Sequence, residues 1–216
     1  DGLHRRDMYL VTDFVLNHTS DQHQWFLESR SSRTNPKRDW YIWQDGIKDR
    51  SPNNWYSWFG GSAWEFDPQT DQFYYHFFFK QQPDLNWRNP EVKATMLDTM
   101  RYWLELGVDG FRLDALGMIF EAPKIPDQES GITQQELYHI SRMAKPRGQQ
   151  MQAVRASRKM FRYQMDLPEL HGLLREIRHV IDEYPGKVLV GETERVEYYG
   201  IANDELHLVF NFPLTR

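Results

Sequence analysis

Val108-Asp109-Gly110-Phe111-Arg112-Leu113-Asp114-Ala115 has an alternation that suits a β-strand. Successive strand side chains point to opposite faces, so Phe111 and Leu113 share one side while Gly110, Arg112 and Asp114 share the other. The apolar pair would pack beneath helices. The polar face sets a guanidinium beside a carboxylate, with Asp114 at the carboxyl end. A cation so close lowers a carboxylate's pKa by roughly 1 to 3 units, which keeps it ionised and available as a nucleophile. On these eight residues alone, a buried structural ion pair is equally open.

Working outward, Asn89-Pro90-Glu91 reads as an N-cap, a proline in the first turn and a first-turn acid. Val92, Met96, Met100, Trp103 and Leu104 follow at helical spacing until Gly107 stops the helix. On the other side, Asp166-Leu167-Pro168-Glu169 resembles a capping box. It precedes an apolar stripe of Leu170, Leu173, Leu174, Ile177, Val180 and Ile181, which Pro185-Gly186 closes. The remaining strand candidates are Met8–Leu16, Lys187–Gly191 and Leu206–Phe212. Strands alternating with helices argue for βαβ units around a parallel sheet.

Two segments break this rhythm. Residues 19–88 lack a helical period and hold seven of the eight tryptophans, with many Gly, Pro, Asn and Asp. So long an excursion carries structure of its own, and it reads as a small inserted β-rich domain. Residues 122–165 begin with turn formers and continue with Arg142, Lys145, Arg147, Arg155, Arg158, Lys159 and Arg162, with no acid between them. A solvated helix or loop is the expectation there, with a specific anion site as the alternative. The expected division is therefore 1–18 with 89–216 in the α/β domain and 19–88 in the insert. Residue 1 is not Met, and the first and last strands lie near the ends, so the chain reads as an internal piece of a longer protein.

Composition excludes several classes. A net charge of −5 over 216 residues argues against a nucleic-acid partner held by a basic surface. The absence of cysteine excludes disulfides, thiolate metal sites and cysteine nucleophiles, and a reducing compartment, the cytoplasm, is the expected location. No apolar run approaches the roughly 20 residues of a membrane-spanning helix. Aromatic residues make up 15% of the chain, and their exposed share would suit the flat faces of sugars or bases.

Three more stretches carry chemistry. Val188-Leu189-Val190-Gly191-Glu192-Thr193 is an apolar run ending in an acid, placed where α/β folds bind ligands. Glu192 could instead belong to the N-cap region of a following helix. Asp13, Val15 and Asn17 share one strand face, and His18 follows as the chain leaves it. That set could bind a metal or a polyhydroxylated ligand, although a lone His beside a turn is more often structural. Gln82-Pro83-Asp84-Leu85-Asn86-Trp87 could be no more than a turn.

Taken in order, these elements resemble the α-amylase family of glycoside hydrolases (family 13). Asp13-Phe14-Val15-Leu16-Asn17-His18 is similar to the family's region after the third barrel strand. Gly110 to Ala115 is similar to the nucleophile region on the fourth, and Gly191-Glu192-Thr193 to the acid/base region on the fifth. Gln82-Pro83-Asp84-Leu85-Asn86 is similar to the fingerprint of oligo-1,6-glucosidase-like members. The resemblance implies a partial (β/α)8 TIM barrel, about strands three to six, with the excursion as domain B. It also implies a retaining α-glucosidase in which Asp114 is the nucleophile and Glu192 the acid/base. Glu192 has no cation near it in sequence except Arg195, which leaves its carboxyl free to stay protonated. Asp13, His18 and Arg112 would hold the sugar being cleaved, Phe59, Phe78 and Gln82 would line the acceptor side, and Ala115 would favour α-1,4 over α-1,6 linkages. For Phe59 and Phe78, a place in the insert's core is equally open.

The expected ligand is a short maltose-like oligosaccharide, with no cofactor and no metal at Asn17. The family's third catalytic carboxylate, in an Asn-His-Asp motif after the seventh strand, has no counterpart in this sequence, so residues 1–216 alone are expected to be inactive. Two rival readings remain: a glucosyl-transferring or isomerising relative such as a trehalose synthase, and a non-catalytic sugar- or protein-binding relative.

Overall fold

The computed structural model describes residues 2–48, 50–143 and 147–212. Its strands are β1 (Val11–Val15), β2 (Trp43–Gln44), β3 (Trp64–Asp67), β4 (Gln72–Tyr75), β5 (Gly110–Asp114), β6 (Val188–Gly191) and β7 (Leu208–Val209). The α-helices are α1 (Gln24–Ser31), α2 (Pro90–Glu105), α3 (Gln134–Met143), α4 (Arg147–Met160) and α5 (Glu169–Asp182). They form two compact units: Asp1–Asn17, Leu85–Ile119 and Pro168–Arg216 in one, His18–Asp84 and Phe120–Leu167 in the other.

The first unit is an α/β layer. Its sheet has the order β1-β5-β6-β7, with every pairing parallel. Phe111 and Leu113 are fully buried, as the alternation of β5 demands, and Phe14 on β1 packs on Phe111 at 5.1 Å. Against that side lie the buried stripes of α2 (Val92, Met96, Met100, Leu104) and α5 (Leu170, Leu173, Leu174, Ile177, Val180, Ile181). Helix α2 begins as expected: Asn89 Oδ1 accepts the Glu91 N–H at 2.8 Å, with Pro90 in the first turn. It ends at Gly107, whose φ of +97° is the left-handed conformation that glycine tolerates.

Several local expectations change. Trp103 is 42% exposed and not part of the buried α2 stripe. Pro168 occupies the N-cap position of α5 without any side-chain cap, so the Asp166 capping box does not form. Asp166 lies two residues earlier, at a φ of +54°. The strand expected over Leu206–Phe212 is paired only at Leu208 and Val209.

The second unit holds an antiparallel sheet of order β2-β4-β3. Its core is aromatic: Phe26, Tyr41, Trp55, Tyr75 and Phe77 are all essentially buried. The excursion does contain a helix, the eight-residue α1, capped by the ring of His23, which accepts the Trp25 N–H at 3.2 Å. Residues 122–165, expected with the parallel sheet, fall within Phe120–Leu167, which packs with this unit. The reason is a set of long-range hydrogen bonds. The Trp55 indole donates to Pro126 O at 2.8 Å, and the Asn53 and Asn54 amides donate to Ile125 O and Gln128 O at 3.0 Å each. Gln164 also donates to the Tyr75 hydroxyl at 3.0 Å. The basic stretch is largely helical, in α3 and α4; Lys145 lies outside the described residues. Among the described residues no helix is long and apolar enough to cross a membrane.

Close approach of β5 and β6 sets the sheet's geometry. A Cβ on Gly110 would lie 2.3 Å from Val188 O, a backbone atom that cannot swing aside. Gly110→Ala in the full-length protein should therefore lose at least about 1 to 3 kcal/mol of stability. Urea unfolding checks this, and an unchanged midpoint would contradict the tight pairing.

Candidate active site

Strand register builds the site. Asp13 on β1 lies opposite Arg112 on β5, and Val15 lies opposite Asp114. On the other flank Leu113 pairs with Gly191, and the Glu192 N–H donates to Leu113 O at 3.0 Å. Two acids from neighbouring parallel strands thus meet at the carboxyl end of the sheet, the end at which α/β folds bind ligands.

Arg112 connects them. Its Nη1 donates to Asp13 Oδ1 and to Asp114 Oδ1, each at 2.9 Å, and its Nη2 lies 2.7 Å from Glu192 Oε1. Its guanidinium also lies 5.7 Å from the centre of the Phe210 ring. Burial opposes the charge on Arg112, but the three carboxylates outweigh it and hold the guanidinium above its ordinary pKa. Arg195, the one cation near Glu192 in sequence, pairs with Glu197, and the cation that touches Glu192 is Arg112 from the neighbouring strand. Even so, burial pushes the Glu192 carboxyl above the ordinary carboxylate range. A hydrogen bond with Asp114 pushes the same way, and Arg112 only partly offsets the two. Glu192 thus keeps its proton to higher pH than an ordinary glutamate does. The N–H of Ala115 is aimed at Glu192 Oε2, at a long 3.5 Å. Ala115 itself has a φ of +51°, a left-handed conformation uncommon outside glycine, directly after Asp114.

The other expected residues form a second cluster within the second unit. The Gln82 amide donates to His18 Nε2 at 2.8 Å, and its oxygen accepts the Phe79 N–H at 3.2 Å. His18 meets the edge of Phe78 at 5.4 Å. Phe59 lies 5.8 Å from Phe78 and stacks on Phe79 at 4.3 Å. Phe59 is 57% exposed and Phe78 partly so, which places both outside the core of the insert. The loop positions are tied together at Phe78 O, which accepts from the Ser57 hydroxyl at 2.6 Å and from His76 Nδ1 at 3.0 Å. Burial lowers the His76 pKa, which favours the neutral ring. The Trp58 N–H also donates to Phe77 O at 2.7 Å. Ser57 and His76 escaped the sequence reading because nothing local marks them. Asn17 is buried and donates to Met118 O at 2.8 Å. Among the described residues, no group of three or more His, Asp or Glu is placed to hold a metal ion.

The model of the α-amylase catalytic domain matches residues 1–216, the whole chain. The chain belongs to the α-amylase family. It is 42% identical over 219 residues to an oligo-1,6-glucosidase of Parageobacillus thermoglucosidasius, an alignment covering 98% of this chain and 35% of that enzyme. It is 40% identical over 224 residues to a trehalose synthase/amylase of Mycolicibacterium smegmatis, covering 99% of this chain and 32% of that protein. A crystal structure of an isomaltulose synthase variant from Erwinia rhapontici NX5 in complex with sucrose matches with a TM-score of 0.79 at 36% identity, covering 99% of this chain and 35% of that one. The chain spans about a third of the length of the relatives it matches. In this α-amylase family chain, the four residues expected around the parallel sheet (Asp13, Arg112, Asp114 and Glu192) do come together.

The electrostatics can be tested without turnover. Arg112 favours the charged form of Glu192, so removing that cation should raise the Glu192 pKa further. A 13C-detected titration of full-length Arg112→Gln should show Glu192 titrating at higher pH than in the wild type. A lower or unchanged midpoint would overturn the role given to Arg112.

Proposed function

We propose that the full-length protein is a retaining α-glucosidase acting on short malto-oligosaccharides, with α-1,6-linked glucose as a poorer substrate. In this reading the four parallel strands are strands three to six of a (β/α)8 barrel, and the antiparallel unit belongs to domain B. The observation that carries the proposal is that one guanidinium touches both acids, Arg112 Nη1 lying 2.9 Å from Asp114 Oδ1 and Nη2 2.7 Å from Glu192 Oε1, which keeps the two carboxyls close. An inverting pair stands roughly 6.5 to 9.5 Å apart to admit a water, whereas a retaining pair stands about 5 to 5.5 Å apart. The close pair supports double displacement. Asp114 attacks the anomeric carbon, and Glu192, whose pKa burial raises, gives its proton to the leaving oxygen. Glu192 then takes a proton from the water that releases the sugar. Arg112 orients Asp114 and restrains the pKa of Glu192. Asp13, His18, Phe59, Phe78, Gln82 and Ala115 are proposed as substrate-binding residues.

Both roles are testable in the full-length protein. Asp114→Asn should reduce turnover by at least about a thousandfold by removing the nucleophile. Glu192→Gln should lose most activity on maltose but retain it on aryl glucosides, whose leaving groups need little protonation. Equal losses on both substrates would remove Glu192 from the acid/base role.

Linkage preference supplies a separate check. With Ala115 after the nucleophile, kcat/KM for maltose should exceed that for isomaltose, and Ala115→Val should move the ratio toward isomaltose. The valine variant should also be less stable, because a β-branched side chain fits poorly at a φ of +51°. A wild-type preference for isomaltose would refute the linkage assignment.

A second reading is favoured by one finding: the trehalose synthase/amylase and isomaltulose synthase relatives match about as closely as the glucosidase does. The same two carboxylates serve glucosyl transfer, and only the acceptor of the glucosyl-enzyme differs. Product analysis on maltose separates the readings, since glucose alone indicates hydrolysis and a new disaccharide indicates transfer.

A further inference from the structure

The second unit contains a groove of about 530 Å3 whose lining includes Trp58, Phe59, Gln134, Gln135, Tyr138 and Phe161. Its volume falls in the roughly 300 to 1,000 Å3 range that takes ligands of drug size, about that of a disaccharide. Three of the rings are turned to solvent: Trp58 is 42%, Phe59 57% and Tyr138 56% exposed. Around them stand amides and hydroxyls from Gln134, Gln135, Ser141 and Ser157.

One wall of this groove is fixed in place. Gln134 Nε2 donates to Ser57 O at 2.7 Å, and its Oε1 accepts the Gly61 N–H at 3.0 Å. A single side chain on α3 therefore staples both ends of the 57–61 loop that carries Trp58 and Phe59. Trp58 is backed by Phe161 at 5.3 Å and Phe77 at 6.0 Å. Flat rings with polar groups at their edges match a pyranose, which has an apolar C–H face and a rim of hydroxyls. Phe59 belongs to both the groove and the cluster with Phe78 and His18, so the two are continuous within this unit.

We infer that this groove binds glucosyl units of malto-oligosaccharides beyond those held by the His18–Phe78–Phe59 cluster, with Tyr138 as a stacking platform. The inference rests on the α-glucosidase reading above and sets chain-length preference within it. Tyr138 is exposed on α3 and can be truncated without opening a core.

The experiment measures kcat/KM of the full-length protein on maltose, maltotriose, maltotetraose and maltopentaose. The wild type should improve from maltose to maltotetraose. Tyr138→Ala should cut the maltotetraose value about threefold to tenfold, mostly through KM, while maltose stays within about twofold. Tyr138→Phe, which keeps the ring, should retain the long-substrate advantage, and Gln135→Ala should weaken it without disturbing any packing. Hydrolysis with no chain-length advantage, or an equal loss on every substrate, overturns the groove and leaves the glucosidase reading standing. Absence of hydrolysis on every α-glucoside sinks both.

Discussion

One guanidinium holds three carboxylates together on the open face of a parallel sheet, and the chemistry of the site depends on it. Three acids from three adjacent strands would repel one another at this separation if all were ionised and no cation stood between them. Arg112 resolves that conflict unevenly. It donates to Asp13 and Asp114 through one nitrogen and reaches Glu192 through the other. Glu192 nevertheless retains a raised pKa because its own burial and its contact with Asp114 prevail. One cation is thus enough to assemble the acids and too little to cancel the rise in the Glu192 pKa.

This arrangement depends in turn on register. Side chains alternate along a strand, so a slip of one residue between β1 and β5 would turn Arg112 toward α2 and α5 and bring Phe111 out to the open face. The fully buried Phe111 and Leu113, with the stripes of α2 and α5 against them, make such a slip costly. Gly110 adds a steric key, since only a residue without Cβ admits β6 at this spacing. The core that stabilises the sheet is therefore also what aims the acids.

What the sequence made legible was local. The alternation of Phe111 and Leu113 with Arg112 and Asp114 announced β5 and its polar face, and Asn89-Pro90-Glu91 announced the start of α2. Helix α1 escaped because it is short, has only a weak apolar stripe and is capped by a histidine ring, which is an unusual N-cap. Asp166 looked like a cap, but Pro168 takes the position next to the helix. Two features were out of reach for a different reason. The contact of Arg112 with Glu192 joins residues far apart in the chain. The packing of Phe120–Leu167 with the insert rests on Trp55, Asn53 and Asn54, which meet partners about seventy positions away. Neither leaves a trace in spacing or composition, because a hydrogen bond between distant segments imposes no period on either one.

The carbonyl of Phe78 accepts from both Ser57 and His76, while Trp58 donates to Phe77. The segments bearing Phe59 and Phe78 are consequently a single inheritable module. Of these links only the Ser57 hydroxyl depends on the side chain of the other segment, so a recombinant that imported the Phe59 segment without a hydroxyl at position 57 would leave Phe78 O with His76 alone. The rings carried at positions 59 and 78 can therefore change while Ser57 and His76 keep the two segments joined.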